Sequence, residues 1–514
     1  MFNVITIPED RAGVEEEIEM MNAKQRRLQP TIQLLRVALD DLQNHYDVLE
    51  RDIAYARSSI APIRKLPLEM LSNILEFCSY IDDDAPSTLL RVCRRWRVAA
   101  SSPQVWSRIV VDLDDFYAEE KACAYLERSR TVLVDIEISR PGFRDDGFRA
   151  WDQLRQHAHR WRSLEITTET FIQVNHLLEG FFVQAPNLKR IEFNVGGIFF
   201  HERAAYFELP TLSLPKDFIK SPKFRELRLN TWTVPILTRS IEQKFNHVTT
   251  LHLKDKYATI FRSADRIRPH PICGNAIAGI LRQCPRLVIF TLDARDSIPF
   301  HSGRICIDPT GLMRGEYSMP FLENISLVGH HLDVFAVLDR LTLPNLRTAY
   351  IEPLPQYAAG LAERFSGAWK DLIRRSKAPP LEDLHIFAMA PEDIVWTLER
   401  SPRMKKFRLE YCTNPDPIIK ALSSSYAYKG RGRFNFEPRW VCSKISQIYL
   451  DECFRVSWLS VAKLIKNRHK AYLDDKKVAL TAGLVINGHN VLEERDLDTL
   501  VCLKARQIKT LIEP

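Results

Sequence analysis

The sequence predicts an α/β protein in which a long N-terminal helix and a small helical module precede an irregular solenoid with a parallel sheet on its concave face. Three observations predict this order. Apolar residues follow a heptad pattern over residues 28–61, leucine and tryptophan are dense over 62–112, and a strand-like pattern recurs through 113–454. Residues 1–27 are expected to form an N-terminal tail and residues 455–514 a C-terminal cap.

The composition and the N-terminus exclude two classes of protein. Of the 514 residues, 45% are hydrophobic and 27% are charged, close to the average for globular proteins. No stretch reaches the roughly 18 uninterrupted apolar residues that a membrane-spanning helix needs. Acidic residues lie near the N-terminus, where a signal peptide would need an apolar core. We therefore expect no membrane association and a cytoplasmic or nuclear location, or both.

The cysteines and the net charge argue against three further features: a disulfide framework, a zinc module and nucleic-acid binding. Ten cysteines are scattered along the chain without a CxxC pair, so neither a disulfide framework nor a zinc module is predicted. The net charge of +7 is mild for this length and is not gathered in one block. Nucleic acid is therefore not the expected partner, because proteins that bind it usually carry a basic stripe or tail.

The first element is a helix with a regular apolar seam. From Leu28 to Ile60, apolar residues alternate at spacings of four and three, which keeps them on one helix face. Pro30 suits the first helical turn, and Pro62 ends the helix. Two interpretations are open: a helix packed on the protein's own surface, and a coiled-coil homodimer through residues 28–60. The flanking charges encode no clear pairing, which favours the first.

The second element is a compact helical module over residues 62–112. It carries many leucines together with Trp96 and Trp106. So short a segment cannot bury a core unaided. We therefore expect another polypeptide to cover its apolar surface.

The third element is a repeat. The pattern Φ-x-x-Φ-x-Φ, in which Φ is apolar, begins at eleven positions from Leu133 to Ile445, at intervals of 23 to 41 residues. Proline lies two residues before the first Φ in seven of the eleven copies, far more often than chance would place it. A proline there can end a helix and enter a strand where its missing N–H does no harm. Helical patterns separate the copies, so stacked strand–helix units with a parallel sheet are predicted.

This repeat resembles leucine-rich repeats. Their consensus L-x-x-L-x-L-x-x-N/C is almost complete at Met404–Cys412 and at Ile445–Cys453. Elsewhere other residues replace the Asn or Cys, and the unit length exceeds the roughly 20–29 residues of regular arrays. An irregular leucine-rich-repeat-like solenoid is therefore expected.

Three blocks of the helical module match, in order, the motif of the F-box family. The first block, LPLEMLSNIL, runs from Leu66 to Leu75. The second, LLRVCRRW, ends at Trp96, and the third, SPQVWSRI, ends at Ile109. The chain therefore resembles the large class of fungal F-box proteins with leucine-rich-repeat-like C-terminal halves.

The resemblance implies a function and a set of contacts. It implies that the module docks onto the Skp adaptor, and through it onto the cullin, of a Skp–cullin–F-box E3 ubiquitin ligase. The chain would then be a non-catalytic substrate-recognition subunit whose solenoid binds an unknown target protein. The expected adaptor-binding residues are Leu66, Pro67, Leu71, Ile74, Leu75, Val92, Cys93 and Trp96.

Target-binding candidates follow from the alternation of side chains along strands. The residues between the Φ positions form an outward surface, which in the later repeats mixes aromatic and cationic side chains, a composition typical of recognition surfaces. An ordinary solvated sheet face, with binding at loops or at the C-terminus, is the alternative. The candidates are Arg228, His252, Tyr350, His385, Arg408 and Tyr449.

The sequence indicates no catalytic chemistry of its own. It contains no Walker loop, GxGxxG, GxSxG or HExxH motif, so no catalytic residue, cofactor or metal site is predicted. The alternative function is a cullin-independent scaffold that uses the same module and repeats to bind protein or nucleic acid. Co-purification with the adaptor would separate the two functions.

Overall fold

The computed structural model divides the chain into two compact units. The first comprises Met1–Cys78 with Ser87–Ala100, and the second comprises Ser79–Pro86 with Ser101–Pro514. The structure describes residues 11–140, 148–168, 171–178, 185–195, 221–230, 245–254, 274–295, 316–354, 360–427, 438–454, 456–475, 478, 483–487 and 510–513.

Helix α1 spans Arg11–Ile60, 50 residues. The predicted start at residue 28 and the predicted tail over residues 1–27 are therefore wrong from Arg11 onward. The heptad spacing continues upstream of Leu28, which explains the longer helix. Pro30 consequently lies inside α1 rather than in its first turn, where a proline costs about 3 kcal/mol relative to alanine.

Helix α1 buries none of its described side chains. Its seam residues are among the most exposed large apolar groups of the protein, with Leu28 54%, Leu42 66% and Ile60 74% exposed. The favoured interpretation, a helix packed on the protein's own surface, is therefore not met within the first unit, to which α1 belongs.

Three short helices follow: α2 (Leu68–Ile81), α3 (Ala85–Val92) and α4 (Arg94–Ala100). A turn of 3-10 helix over Pro62–Lys65 precedes them. Pro62 therefore lies just after α1, as predicted, and begins this turn. Among the described helices, none is both long and apolar enough to span a membrane.

The second unit is built on a 14-stranded sheet whose strands follow chain order and whose neighbours all pair in parallel. This order gives the solenoid-like α/β arrangement that the sequence predicts. The sheet strands are β1 (Arg108–Asp112), β2 (Val134–Arg140), β3 (Trp161–Thr168), β4 (Arg190–Val195), β5 (Glu226–Leu229), β6 (Thr250–Lys254), β7 (Ile289–Asp293), β9 (Asn324–His330), β11 (Thr348–Leu354), β12 (Asp383–Phe387), β13 (Lys406–Glu410), β16 (Gln447–Asp451), β17 (Gly483–Asn487) and β18 (Thr510–Glu513).

Helices connect many of these strands, and two small sheets lie outside the main one. The small sheets pair β8 (Tyr317–Ser318) with β10 (Leu341–Thr342), and β14 (Ser425–Ala427) with β15 (Pro438–Trp440). The helices are α5 (Ala118–Ser129), α6 (Phe148–Gln156), α7 (Phe171–Leu178), α8 (Gly274–Gln283), α9 (His331–Leu338), α10 (Leu361–Arg375), α11 (Pro391–Glu399), α12 (Asp416–Leu422) and α13 (Trp458–Asp475).

The sheet is longer than the predicted solenoid at both ends. Its first strand, β1, lies inside the predicted helical module, and β17 and β18 lie inside the predicted cap. The boundaries 113–454 and 455–514 are therefore wrong as limits of the repeat. The third block of the F-box motif ends in β1, because Arg108–Asp112 pairs with Asp135–Ser139 of β2.

The Φ residues of the repeat form the core, and the prolines begin its turns. Leu227, Leu251 and Leu384 are fully buried. In six of the seven proline copies, the first Φ residue donates its N–H to the carbonyl of the residue before the proline, as Leu188 does to Ala185 at 3.1 Å. Proline therefore occupies the second position of a β-turn, which its fixed φ suits. This turn, rather than strand entry, explains the repeated proline.

Candidate functional site

Helix α2 carries apolar side chains on two of its faces. Leu71 and Leu75, four residues apart, are fully buried. Met70, Ile74 and Phe77 are 51%, 39% and 71% exposed. Their spacings of four and three place them on one helix face, and we call this set the α2 stripe. An apolar stripe on the outer face of a helix is typical of a protein-binding surface.

The predicted adaptor-binding residues divide between these two faces and the neighbouring segments. Leu71 and Leu75 have no exposed surface, so their prediction as contact residues is wrong, and they support the α2 stripe from beneath. The other predicted residues retain surface. Pro67, Ile74, Val92 and Cys93 are exposed, and Leu66 and Trp96 are half-buried.

Hydrogen bonds from side chains to the backbone hold the module's exposed segments in place. The guanidinium of Arg95 donates to the carbonyls of Arg64 and Leu66, which ties the segment before α2 to α4. Ser72 Oγ donates to the carbonyl of Ala99 at 3.1 Å and joins α2 to α4. Arg97 Nε donates to the carbonyl of Leu90 at 3.1 Å. These hydrogen bonds fix the backbone of the segments that carry the exposed apolar side chains.

The six predicted target-binding residues lie in a single row across the sheet of the second unit. Strand pairing places them and two small polar residues side by side on eight neighbouring strands, which at about 4.8 Å per strand makes a row on the order of 30 Å long. We call this set the strand-face row. In order it is Arg228, His252, Thr291, Ser326, Tyr350, His385, Arg408 and Tyr449.

An aromatic cluster occupies one half of the strand-face row. The rings of Tyr350 and His385 meet edge to face with centroids 4.5 Å apart, and His385 stacks on Phe387 at 4.8 Å. Tyr411 lies 6.3 Å from Phe387. Phe387 is only 3% exposed, so it is the floor of the cluster rather than an outward contact. The half-buried rings around it form its outer surface.

An ion pair and a side-chain hydrogen bond lie beside this cluster. Arg408 Nε lies 2.6 Å from Asp451 Oδ2, and its guanidinium is 5.7 Å from the ring of Tyr449. His385 Nε2 lies 2.7 Å from Glu410 Oε1. Because Asp451 is only 6% exposed, Arg408 neutralises an otherwise buried carboxylate while keeping part of its own surface.

A second polar group lies beside Tyr350. The hydroxyl of Tyr350 donates a hydrogen bond to Glu352 Oε2 at 2.7 Å, and the guanidinium of Arg295 donates to the same oxygen at 3.0 Å. Burial and then the hydrogen bond to Glu352 raise the pKa of Tyr350 above its usual value. Tyr350 is therefore a neutral hydrogen-bonding group at physiological pH.

The other half of the row is separated from the aromatic cluster by Thr291 and Ser326. There Arg228 Nε lies 2.6 Å from Glu226 Oε1, and His252 Nε2 lies 3.7 Å from the same oxygen. Burial, and after it the charge of Arg228, lower the pKa of His252, so the neutral imidazole is favoured. The structure thus brings Tyr350, His385, Arg408 and Tyr449 together on adjacent strands and places Arg228 and His252 apart from them.

Three residues at the carboxyl ends of neighbouring strands adopt left-handed backbone conformations without being glycine. Ala388, Tyr411 and Glu452 follow β12, β13 and β16 with φ of 48°, 57° and 48°. Such conformations cost about 1–2 kcal/mol for residues other than glycine. Tyr411 thereby turns out of its strand beside the aromatic cluster.

Sequence reasoning missed several residues of both surfaces. Met70 and Phe77 lie on the α2 stripe, and the signal that could have found them is their heptad-like spacing with Ile74. Arg295 follows β7 outside the strand pattern and could not be assigned to a surface from spacing alone. Within the described residues, no group of three or more His, Cys, Asp or Glu side chains is arranged to hold a metal.

The comparisons with known proteins concern the helical module. No curated protein matches the chain. Residues 63–112 match the F-box-like family model, which covers α2, α3, α4 and β1. This match supports an F-box adaptor role in ubiquitin ligase complexes, a role that is generally non-catalytic. The chain thus contains an F-box-like domain, at residues 63–112.

Proposed function

We propose that the protein is the substrate-recognition subunit of a Skp–cullin–F-box E3 ubiquitin ligase. The F-box-like domain binds the Skp adaptor, and the strand face of the second unit binds a target protein. The chain supplies no catalysis; it raises the concentration of the target near the ubiquitin donor, which other subunits hold. The observation that carries this proposal is the exposed α2 stripe within the F-box-like match.

The adaptor contact follows from the chemistry of the stripe. Met70, Ile74 and Phe77 present three large apolar side chains on a short helix, and buried leucines fix that helix from below. Val92 and Cys93, at the junction of α3 and α4, add exposed apolar surface. Apolar anchors of this size at the centre of an interface usually carry most of the binding energy.

Co-purification with a Skp adaptor tests this contact. Phe77→Asp should abolish the retention of the adaptor on the affinity-tagged full-length chain. Phe321→Asp is the matched control, because Phe321 is also largely exposed (55%) but lies in the second unit; it should retain the adaptor fully. Unchanged retention by Phe77→Asp, with both variants folded by circular dichroism, would contradict the proposal.

The target-binding surface is proposed to be the aromatic half of the strand-face row. Arg408 is exposed there, and the half-buried rings of Tyr350, His385 and Tyr449 retain part of their surface beside it. Aromatic rings with an arginine are the side chains most enriched at binding hot spots. The ion pairs to Asp451 and Glu410 hold Arg408 in one geometry, so it loses less rotamer freedom on binding.

We further propose that the second unit is an irregular leucine-rich-repeat-like array and that the chain belongs with fungal F-box proteins of that type. The last position of the leucine-rich-repeat consensus, which is Asn or Cys, supports the leucine-rich-repeat assignment. Cys453 is fully buried, and its thiol lies 3.7 Å from the carbonyl of Leu409 in the preceding repeat unit. A location in the cytoplasm or nucleus follows from this role, because the ligase acts there.

Trapping the target tests the strand face. Proximity labelling with the Phe77→Asp chain should enrich targets, because a target that is bound but not ubiquitinated persists. Adding Arg408→Glu and Tyr449→Ala should remove those proteins from the labelled set. Arg374→Glu, on the exposed face of α10, is the control that should leave them. If the Phe77→Asp chain and the chain that also carries Arg408→Glu and Tyr449→Ala label the same proteins, the strand face is not the target-binding surface.

Capture of the cullin separates the proposal from a cullin-independent scaffold. The purified chain–adaptor complex should retain a cullin in a pull-down, and the Phe77→Asp chain should not. A complex that holds the adaptor but excludes the cullin would instead support the scaffold.

A further inference from the structure

The seam of α1 extends over almost the whole helix and uses two kinds of residue in alternation. Counting heptad positions from Ile32 as a, the a and d positions keep one register from Val14 to Ile60, with Gln25 as the one polar member. All of its members are exposed in the chain. The a positions are Ile18, Gln25, Ile32, Leu39, Tyr46, Ile53 and Ile60, and the d positions are Val14, Met21, Leu28, Leu35, Leu42, Leu49 and Ala56.

The area of this seam is that of a stable interface. At about 1.5 Å per residue, the 50 residues of α1 make a helix about 75 Å long. A strip about 10 Å wide along its length offers about 750 Å², against the roughly 800 Å² that each partner buries in a standard interface. A second helix of the same length would cover the seam fully.

The distribution of side chains between a and d selects two parallel strands. The four isoleucines of the seam all lie at a, and four of its five leucines lie at d. β-Branched residues at a with leucine at d favour parallel dimers over trimers and tetramers. In a parallel pair, Gln25 at a also faces its own copy, as single polar a residues do when they specify register. In an antiparallel pair with full overlap it would face Leu49.

The charges beside the seam are compatible with the parallel arrangement but do not select it. In a parallel, in-register pair, each g residue faces the e residue five positions along the other helix. Asp52 then faces Arg57, His45 faces Glu50, and no like charges meet between residues 17 and 57. In the antiparallel pair, Arg36 would face its own copy, and like charges there repel. The antiparallel pair would also place Asp52 opposite Lys24 and Arg57 opposite Glu15, so the charges fit both orientations and the choice of the parallel one rests on the residues at a and d.

We propose that α1 forms a parallel, in-register, two-stranded coiled coil with a second copy of this chain. The protein is then a dimer that carries two F-box-like domains and two strand faces. Pro30 lies at position f, on the side of α1 opposite the seam, so its ring does not enter the interface. This proposal does not depend on the proposed ligase function, because it uses no residue of the F-box-like domain or the sheet.

The mass of the full-length protein tests the dimer. One chain has a mass of 59.6 kDa, and analytical ultracentrifugation at micromolar concentration should give twice that mass. Leu35→Glu, at d, should reduce the mass to that of one chain. Leu34→Glu is the matched control: it makes the same substitution on the neighbouring leucine, which is 72% exposed but lies at position c. It should leave the dimer intact.

Each other result of this experiment overturns the proposal. A wild-type monomer excludes the coiled coil, and a trimer or tetramer excludes the two-stranded form. Equal dissociation by Leu34→Glu and Leu35→Glu would mean that a broader face than the a/d seam is covered. Circular dichroism of each variant checks that α1 stays helical, and the proposal stands only if the Leu35→Glu chain is a folded monomer.

A charge exchange tests the orientation. Asp52→Arg should raise the dimer dissociation constant about five-fold, because two symmetry-related attractive pairs become repulsive. Adding Arg57→Asp should restore it, since the pair is re-formed with the charges exchanged. In the antiparallel dimer, Asp52 would face Lys24 and Arg57 would face Glu15, so the second substitution would weaken the dimer further. Loss of affinity in the double variant would therefore overturn the parallel arrangement.

Discussion

The two units of the protein use the same apolar residue types in opposite ways. In the first unit, apolar side chains of α1 and α2 are exposed along two stripes, whereas in the second unit the leucines of the strand pattern are almost all below 3% exposed. A strand inside the sheet has neighbours on both sides and helices beside it, which cover its apolar face. Within the described residues of the first unit, nothing covers the seam of α1. Apolar periodicity therefore identifies a face that will be buried, but not which molecule buries it.

Charged side chains show the same contrast: the second unit pairs them within the chain, and the first unit leaves some of them for another molecule. On the strand face, Arg408, Glu410, His385 and Asp451 pair with one another across adjacent strands. The sheet thus pairs many of its own charges, whereas Asp52 and Arg57 of α1 find their proposed partners on a second chain. The following substitutions test this division.

The sharpest test contrasts the two faces of α2. Leu75→Ala should lower the free energy of unfolding by about 2–5 kcal/mol, because it removes a fully buried side chain and leaves a cavity. Phe77→Ala should change it by less than about 0.5 kcal/mol, since Phe77 is 71% exposed. Urea unfolding followed by circular dichroism measures both. Equal losses would show that both faces are packed within the chain.

Thiol reactivity compares the two units directly. Burial raises the pKa of Cys284, Cys442 and Cys453 to about 12, so only about one in ten thousand of these thiols is ionised at pH 8. Cys93 of the first unit is exposed. Iodoacetamide on the native protein, read by mass spectrometry, should modify Cys93 on the order of a thousand-fold faster.

The same reagent gives a second reading on the adaptor. Bound adaptor should protect Cys93 and leave the reactivity of the exposed Cys123 unchanged. Rapid modification of the three buried thiols would contradict the packing of the second unit. Unprotected Cys93 in the complex would remove it from the proposed contact.

A buried arginine should matter nearly as much as a buried leucine in the second unit. Arg468 is fully buried, and its guanidinium donates to the carbonyls of Leu422, Val441, Cys442 and Ser443. Arg468→Met should destabilise the protein by about 3 kcal/mol, because it leaves buried carbonyls without donors. Lys466→Met, on the exposed face of the same helix, should have little effect in the same urea experiment.

The smallest expected effect concerns the turns after the strands. Ala388→Gly should stabilise the protein by up to about 1 kcal/mol, since glycine adopts a φ of 48° without strain. Ala349→Gly, inside β11, should instead destabilise it by about 0.5–1 kcal/mol. Thermal unfolding distinguishes the signs. A loss in both variants would mean that the left-handed turn carries no strain.

Much of the fold follows from patterns that are local in the sequence. The Φ-x-x-Φ-x-Φ copies predict the strands because side chains alternate along a strand, and the copies at Leu188, Leu287 and Leu381 all begin next to strands of the sheet. The strand-face row follows for the same reason. The register of parallel neighbours then aligns Tyr350, His385 and Arg408, which lie in separate repeats.

Other features depend on how many neighbours an element has, which a local pattern does not contain. The motif around Leu66 to Leu75 identifies an F-box-like segment, but only the packed helices decide that Leu71 and Leu75 are buried while Ile74 is exposed. The sequence by itself therefore determined the periodicity, the order of the elements and the family motif. The tertiary structure alone decided which apolar stripes the chain covers and which it leaves for another molecule, because burial is a property of the neighbours and not of the residue.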